Sequence, residues 1–242
     1  MVVVDLDRLE SDGWVKVAAG VQAGLVAEAS AWLDRRTEDT RSLLSMQVER
    51  EAGGRLRKLR RLYWLDPGFW GPWVAASGVA ELARRIVGDD AVLVKNACFT
   101  KPPGGARVGY HQDRALWDGE MERAHNFWVP LDRADRATGG LVMFSGTQRM
   151  GLLPHAPAED HPWHPVVEPD GLGLEPTAVE VEVGEVMVHQ ARTLHGSPPN
   201  ASDRPRRAVT FTFAAEPPPG DPATAREGWV RLDDVVGARL PA

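Results

Sequence analysis

Cysteine is almost absent from this sequence, since Cys98 is the only one among 242 residues. A single cysteine cannot form a disulfide within the chain, and it cannot supply the several thiolates of a structural zinc site. A metal ion bound by this chain must therefore be held by histidine, aspartate or glutamate side chains.

Long apolar runs and a secretion signal are also lacking. No stretch approaches the roughly 18 apolar residues that identify a membrane-spanning helix. Residues 1–10 carry acids early and do not show the basic-then-apolar pattern of a signal peptide. We therefore expect a cytoplasmic protein that has no membrane partner.

Positive charge is in deficit, with 28 Lys and Arg against 34 Asp and Glu, which gives a net charge of −6. Binding to nucleic acid requires a basic surface that meets the phosphates, so no nucleic-acid partner is expected. Lysine is scarce beside arginine, which makes its few positions easy to follow. A content of 43% hydrophobic and 26% charged residues is otherwise typical of a globular protein.

Helical patterns are concentrated in the first third of the chain. Apolar residues recur there at the spacing of one helix face, and Pro67 stands where it could open a further helix. We predict helices over residues 5–11 (leading into 14–17), over 21–36, after Pro67, and over 79–86, where Gly88 ends the last one.

After Asp89 the pattern changes to short β-rich runs separated by Gly, Pro and Asp. The runs cover residues 91–99, 125–131, 140–144, 179–183, 186–189 and 208–214. Several short strands with turns between them indicate a β-sandwich or barrel. Residues 152–176, rich in Pro and His, are predicted to form a loop or lid. We expect one domain over 1–242, with a mostly helical support region at 1–88 and a β core at 89–216.

His111 and Asp113 are the sharpest local feature. Residues two apart in a strand project from the same face, so both side chains can reach one point inside a barrel. Two imidazoles and one carboxylate form the facial triad of non-haem iron(II) oxygenases, which leaves adjacent positions on the metal open. A His-x-Asp triplet alone is weak, and it needs a second histidine from a distant strand.

The candidate for that second histidine is His195, followed by Gly196 and Ser197. Eleven positions later (206 − 195), Arg206 opens a predicted strand. A guanidinium group grips a carboxylate with two hydrogen bonds and stays charged when buried, as the distal carboxylate of 2-oxoglutarate would require. His189 is the rival metal ligand, and Arg207 is the rival carboxylate ligand.

Taken together, these motifs resemble the phytanoyl-CoA dioxygenase family of iron(II)/2-oxoglutarate-dependent oxygenases. The resemblance rests on His111-x-Asp113, on His195-Gly-Ser with Asn200, and on Arg206. Further matching segments are residues 10–17, 101–105, 127–132, 139–141 and 145–147. The family implies a mainly β fold with helices, namely a double-stranded β-helix (a cupin-like jelly roll) on which the N-terminal helical region packs.

The resemblance also implies roles for six residues and a set of cofactors. His111, Asp113 and His195 would bind Fe(II) and form the catalytic centre. Arg206 and Ser197 would bind the C5 carboxylate of the cosubstrate 2-oxoglutarate, and O2 is the second cosubstrate. Trp117 stands where the family often has an aromatic residue that lines the cosubstrate pocket. Residues 152–176 do not match the family closely.

Several neighbouring residues leave alternatives open. Gln112 should face away from the metal and be structural, His189 is expected beside the metal ligands, and one of Lys95 and Asn96 should point into the pocket. The remaining histidines are expected on the surface or in loops, where the last three could line the substrate mouth: His125, His155, His161 and His164. The basic cluster at residues 55–61 is expected to be a solvated face, with a clamp for an anionic substrate as the alternative.

The predicted function is oxygenation of a small-molecule metabolite by iron(II), 2-oxoglutarate and O2. Hydroxylation is expected, or epimerisation, desaturation or cyclisation, in natural-product tailoring. Halogenation is disfavoured because Asp113 occupies the position that halide takes in related halogenases. The alternatives are a non-catalytic metal-binding jelly-roll protein and a cupin-like isomerase. The sequence makes no prediction of the oligomeric state.

Overall fold

The helices begin and end where local sequence signals place them. The computed structural model describes residues 2–38, 48–51, 53–117, 123–158, 161–217 and 228–237. Asp5 caps the first helix by accepting a hydrogen bond from the Arg8 amide (2.9 Å), and Gly13 ends it at a left-handed φ of 83°. The helices of the described residues are α1 Leu6–Asp12, α2 Ala23–Glu38, α3 Leu62–Leu65, α4 Pro67–Ala76, α5 Val79–Ile86 and α6 Leu232–Val236.

The strands form two main antiparallel sheets and a small hairpin. Their bounds are β1 Trp14–Val17, β2 Val48–Arg50, β3 Leu56–Arg60, β4 Val92–Lys101, β5 Val108–His111, β6 Ala124–Pro130, β7 Leu141–Met143, β8 Ala156–Ala158, β9 His161–Val166, β10 Thr177–Val179, β11 Val186–Gln190, β12 His195–Ser197, β13 Arg206–Ala214 and β14 Val230–Arg231. The large sheet has the order β1-β11-β6-β13-β4-β3-β2, with β14 beside β4, and the small sheet has the order β10-β7-β12-β5. Strands that are neighbours in space are distant in sequence, as in a jelly roll, and the predicted fold class is confirmed.

Alternation along β13 separates the helix-facing side of the large sheet from its inner side. Phe211 packs on Trp73 of α4, with ring centroids 5.7 Å apart, in the core shared with the helices. Thr210, Thr212 and Arg206 face the other way and line a cavity between the sheets. The N-terminal helices therefore cover the outer face of the barrel and leave its interior to polar side chains.

Three predicted regions differ from the structure. Within the region expected to be mostly helical, β2 and β3 extend the large sheet through pairing of β3 with β4. The segment predicted as a loop or lid contains the hairpin β8–β9, whose alternation is hidden in the sequence by its prolines and histidines. The strand predicted at 179–183 lies earlier, as β10 at Thr177–Val179, and only an isolated bridge from Val181 to Ala134 follows it. No helix in the described part of the chain is long and apolar enough to cross a bilayer.

Asn200 organises the turn between β12 and β13. Its buried side-chain amide donates to the carbonyls of Lys101 (2.9 Å) and Arg204 (2.7 Å), while its oxygen accepts from the amide of Ser202 (2.9 Å). This residue therefore fixes the connection that sets His195 and Arg206 on their strands.

Replacing Asn200 with alanine should destabilise the fold by about 1–3 kcal/mol, because buried backbone groups lose their partners. Thermal unfolding measures this loss. Ser202→Ala is the matched control, since Ser202 is half-buried and lies in the same turn. An equal or larger loss in that control would contradict the role given to Asn200.

Candidate metal centre

Three side chains expected to bind metal converge between the sheets. His111 and His195 are directly opposite each other in the pairing of β5 with β12, and their ring centroids are 4.4 Å apart. Asp113 Oδ1 lies 3.6 Å from His111 Nε2. One ligand atom from each of these residues lies within 4.8 Å of the others. The expectation that Asp113 continues the strand is wrong, because β5 ends at His111 and Asp113 begins a 3-10 turn.

The glycine after His195 is required by close packing of the two strands. A Cβ atom at Gly196 would lie 2.8 Å from the carbonyl oxygen of Val108 and 2.7 Å from the ring of Tyr110. Any larger residue would push β12 away from β5 and separate the two histidines.

Hydrogen bonds select the tautomer that metal binding requires. His111 Nδ1 lies 2.9 Å from the carbonyl of Gly109, and His195 Nδ1 lies 2.9 Å from that of Thr193. A carbonyl can only accept, so each Nδ1 carries the proton and donates it, which leaves Nε2 with a free lone pair.

The protonation states also favour a cation at this point. Burial raises the pKa of Asp113, but the neighbouring rings of His111, His195 and His189 outweigh this effect and hold the pKa well below its usual range. Burial, with His189 and His111 nearby, holds the pKa of His195 well below its usual range. A deprotonated carboxylate beside neutral imidazoles is the ligand state that a metal ion needs.

His189 lies beside the three candidate ligands. Its ring centroid is 4.3 Å from that of His195, and its Nε2 lies 4.0 Å from Asp113 Oδ2. That carboxylate oxygen already accepts a hydrogen bond from Asn126 Nδ2 (3.1 Å), whereas Oδ1 faces His111. The geometry places His189 next to the metal position and outside the group of three.

Arg206 lies in the same cavity as these side chains. It is 3% exposed, and its Nη2 donates to the carbonyl of Gly139 (3.2 Å). Its Nε has no hydrogen-bond partner among the described residues. Burial lowers the pKa of Arg206 to about 10, so it stays charged at neutral pH. Arg207 faces the other way and forms an ion pair with Asp132 (2.9 Å).

Ser197 also lines the cavity. It has a hydrogen-bond partner that was not predicted from the sequence. Its Oγ accepts a hydrogen bond from Lys101 Nζ (2.6 Å), which also donates to the carbonyl of Pro198. Burial and the charges of Arg206 and Arg57 lower the pKa of Lys101 to about 6. Alternation along β4 from Lys95 was the signal that could have placed Lys101 on the inner face.

The structure also shows which way the side chains of Lys95, Asn96 and Gln112 point. Lys95 points into the cavity, with its Nζ 5.2 Å from the ring centroid of Trp117, which lines the same wall. Asn96 faces the helices, where its Oδ1 accepts from the Tyr63 amide (3.2 Å). Gln112 is structural as predicted, since its buried side chain bonds to backbone atoms of neighbouring loops.

Of the four remaining histidines, His164 lies against the centre. Its ring centroid is 4.2 Å from that of His111, and it lines the cavity. His155 Nε2 accepts a hydrogen bond from the amide of Gln112 (3.1 Å). The expectation of a surface or loop position for His125 is wrong, because it lies in β6, where burial lowers its pKa to about 4. The side chain of His161 lies outside the described residues.

The cavity has a volume of about 650 Å³, and its lining includes Arg206, the candidate centre and residues of β3. Arg57, Lys58 and Arg60 line it there, so the prediction that the basic cluster is a solvated face is wrong for these three. Arg57 and Arg60 both form ion pairs with Glu49. β3 lies between β2 and β4, and its pairing with β4 turns the cluster towards the interior.

Comparison with known proteins gives relatives that match part of this chain. A probable alpha-ketoglutarate-dependent hypophosphite dioxygenase of Stutzerimonas stutzeri is 29% identical over 147 residues, which cover 59% of this chain and 51% of that protein. A 2-aminoethylphosphonate dioxygenase of the uncultured bacterium HF130_AEPn_1 is 29% identical over 133 residues, which cover 54% of this chain and 49% of that protein. The chain thus spans about half the length of the curated relatives it matches.

The fold is also found in a solved structure. The crystal structure of EctD from S. alaskensis with 2-oxoglutarate and 5-hydroxyectoine has a TM-score of 0.74 at 19% identity, covering 93% of this chain and 84% of that one. The sequence model of one family, described as phytanoyl-CoA dioxygenase, matches residues 9–208. This match spans both sheets, the three candidate ligands and Arg206, and the chain therefore belongs to the phytanoyl-CoA dioxygenase family.

Proposed function

We propose that this protein is an iron(II)- and 2-oxoglutarate-dependent oxygenase that oxidises a small anionic molecule. The observation that carries the proposal is the convergence of His111, Asp113 and His195 in one cavity with the buried Arg206. A cupin-like isomerase would need the first three residues but would have no use for a buried arginine whose Nε lacks a partner in the described chain.

The donor set fits iron(II). Two Nε2 atoms and one carboxylate oxygen would hold the metal on one face and leave the remaining positions for 2-oxoglutarate and dioxygen. When bound, these groups supply the oxidant that removes hydrogen from an unactivated C–H bond.

The chain itself supplies orientation and exclusion of water. Arg206 would grip the distal carboxylate of 2-oxoglutarate with its guanidinium fork, above the ring of Trp128, whose centroid lies 5.6 Å from its Cζ. Asn126 holds Asp113 in position through its hydrogen bond to Oδ2. Trp117 and Leu141 contribute apolar walls to the cavity, which shield the reacting atoms from water.

The substrate class is supported by the names of the relatives. The hypophosphite and 2-aminoethylphosphonate dioxygenases are named for small phosphorus oxyanions, and a cationic wall lines the cavity of this chain. We therefore infer hydroxylation of a small anion. Epimerisation, desaturation and cyclisation would use the same residues, so they stay as alternatives to hydroxylation. A role in natural-product tailoring also stays a prediction.

Anaerobic addition of iron(II) and then 2-oxoglutarate tests the proposal. A visible charge-transfer absorption should develop only with both, and admission of oxygen should yield succinate and carbon dioxide in equal amounts. A metal-binding protein without turnover would take up iron and release no succinate, and that outcome would refute the proposed function.

His195→Ala should lose both iron and succinate formation, whereas His189→Ala should keep iron and lose about 10–100-fold in activity at most, since it lies beside the ligands. Iron content and succinate release for the two purified variants decide the assignment. An inactive, iron-free His189 variant beside an active His195 variant would reverse it.

A further inference from the structure

Lysine is distributed unevenly in this molecule. The sequence has only four lysines beside 24 arginines. Lys58 and Lys95 line the cavity, and Lys101 is buried behind Ser197. Lys16 is exposed and forms an ion pair with Glu185 (3.1 Å). Three of the four lysines thus surround the candidate centre, in a chain that uses arginine almost everywhere else.

Lys58 has no counter-charge of its own. Its Nζ lies 4.3 Å from the ring centroid of Phe99, and it makes no ion pair or hydrogen bond in the described part of the chain. The nearest carboxylate of the same strand pair, Glu49, is taken by Arg57 and Arg60. Burial and these two arginines lower the pKa of Lys58. A cation in this setting is stabilised by a bound anion.

The cavity as a whole carries surplus positive charge. Among the described residues, five cationic side chains line it, namely Arg57, Lys58, Arg60, Lys95 and Arg206, against the two carboxylates Glu49 and Asp113. The surplus is three positive charges in a protein whose net charge is −6. The charges of iron(II) and of 2-oxoglutarate cancel each other, so the holo form keeps this surplus.

Lys95 lies apart from the 2-oxoglutarate end of the cavity. Lys95 is paired with Thr212 of β13, and Thr212 is paired with Asn126, which holds Asp113. Along β13 this row is six residues from Arg206, a distance of about 20 Å at the rise of a strand. Lys58 is paired with Phe99, which lies between Lys95 and Lys101, the partner of Arg206, on the same face of β4, so Lys58 lines the cavity between its two ends.

We propose that Lys58 and Lys95 form an anion subsite that binds the acidic group, a phosphonate or a carboxylate, of the primary substrate and presents its neighbouring carbon to the metal centre. This inference rests on the proposed function and assigns the substrate-binding residues. Lys58 supplies a charge that no side chain in the described ranges neutralises, and Lys95 extends the subsite towards Asn126 and Trp117.

Calorimetry under anaerobic conditions tests the subsite separately from the chemistry. The full chain is first loaded with iron(II) and titrated with 2-oxoglutarate, which tests the proposed function alone. The loaded protein is then titrated with propylphosphonate, with butyrate, and with butyramide as an uncharged match for butyrate. We expect both anions to bind more tightly than butyramide, and the tighter of the two identifies the acidic group.

The variants Lys58→Met and Lys95→Met should weaken binding of the anions by about 10-fold or more, as loss of a charged hydrogen bond implies, with little change for butyramide. Lys16→Met is the matched control and should bind all three probes like the unaltered protein. The same first titration with 2-oxoglutarate shows whether each variant is folded.

Either of two results would overturn the subsite. One is equal binding of anions and butyramide to the loaded protein, and the other is anion binding that Lys58→Met leaves unchanged. Failure of the first titration would instead refute the proposed function. An anion that displaces 2-oxoglutarate, and so binds at Arg206, would also overturn the subsite.

Discussion

Replacing Asp113 with alanine is expected to abolish succinate formation. The carboxylate is the only negative charge that the candidate centre offers to the metal, and its lowered pKa keeps it ionised. Mutation of a residue that only supports a metal ligand typically lowers metal affinity or activity by about 10–100-fold. Loss of a ligand itself should therefore lower activity by more than about 100-fold. Iron content and succinate release of the purified variant measure this.

Asp132→Ala is the matched control for that experiment. Asp132 is also a partly buried aspartate, but it pairs with Arg207 outside the cavity. Its removal should lower the melting temperature and leave iron content unchanged. Full oxygenation by the Asp113 variant would remove the basis for a three-ligand site and return His189 to consideration as a ligand.

Arg206→Ala should raise the KM for 2-oxoglutarate while iron is still bound. Removing one partner of a buried charge pair costs on the order of 2–5 kcal/mol, which corresponds to at least about 30-fold in affinity. Arg206 is buried, charged and short of hydrogen-bond partners at Nε. Steady-state succinate formation at varied 2-oxoglutarate concentrations gives the KM.

Arg207 is the ideal comparison because it is adjacent on the same strand and faces away from the cavity. Its guanidinium group contacts Asp132 and Asp34. Arg207→Ala should therefore reduce stability and leave the KM for 2-oxoglutarate near its original value. A larger rise in KM for Arg207→Ala than for Arg206→Ala would mean that the inward face of β13 has been misassigned.

The choice between Arg206 and Arg207 illustrates that the sequence of a single strand can predict which side chain faces the cavity. The spacing from His195 favoured Arg206, and strand alternation allowed only one of the two arginines to face inward. The structure puts Arg206 in the cavity and pairs Arg207 with Asp132 on the other face. His189 was likewise expected beside the ligands, and β11 places it there, with Val186 and Val188 in the core on the opposite face. Both expectations depended on local geometry within a single strand, which the sequence specifies directly.

Other features depended on how distant segments meet. Asp113 reaches the centre from a turn, because β5 ends where its pairing with β12 ends. The partner of Ser197 is Lys101, 96 residues away in the chain. The basic residues of β3 face the cavity because this strand pairs with β4. No periodicity in these segments could have indicated such contacts.

The sequence by itself determined the chemistry and the fold class. One cysteine, two motifs at family spacing and a change from helical to β-rich patterns were sufficient to predict a jelly roll with a histidine–carboxylate centre and a buried arginine. The tertiary structure alone decided which cations share that cavity. Alternation assigns side chains to one of two faces, but only the packing of sheets and helices determines which face becomes the interior. Because of this packing, the basic side chains of residues 57–60, which were predicted to form a solvated face, line the proposed substrate site.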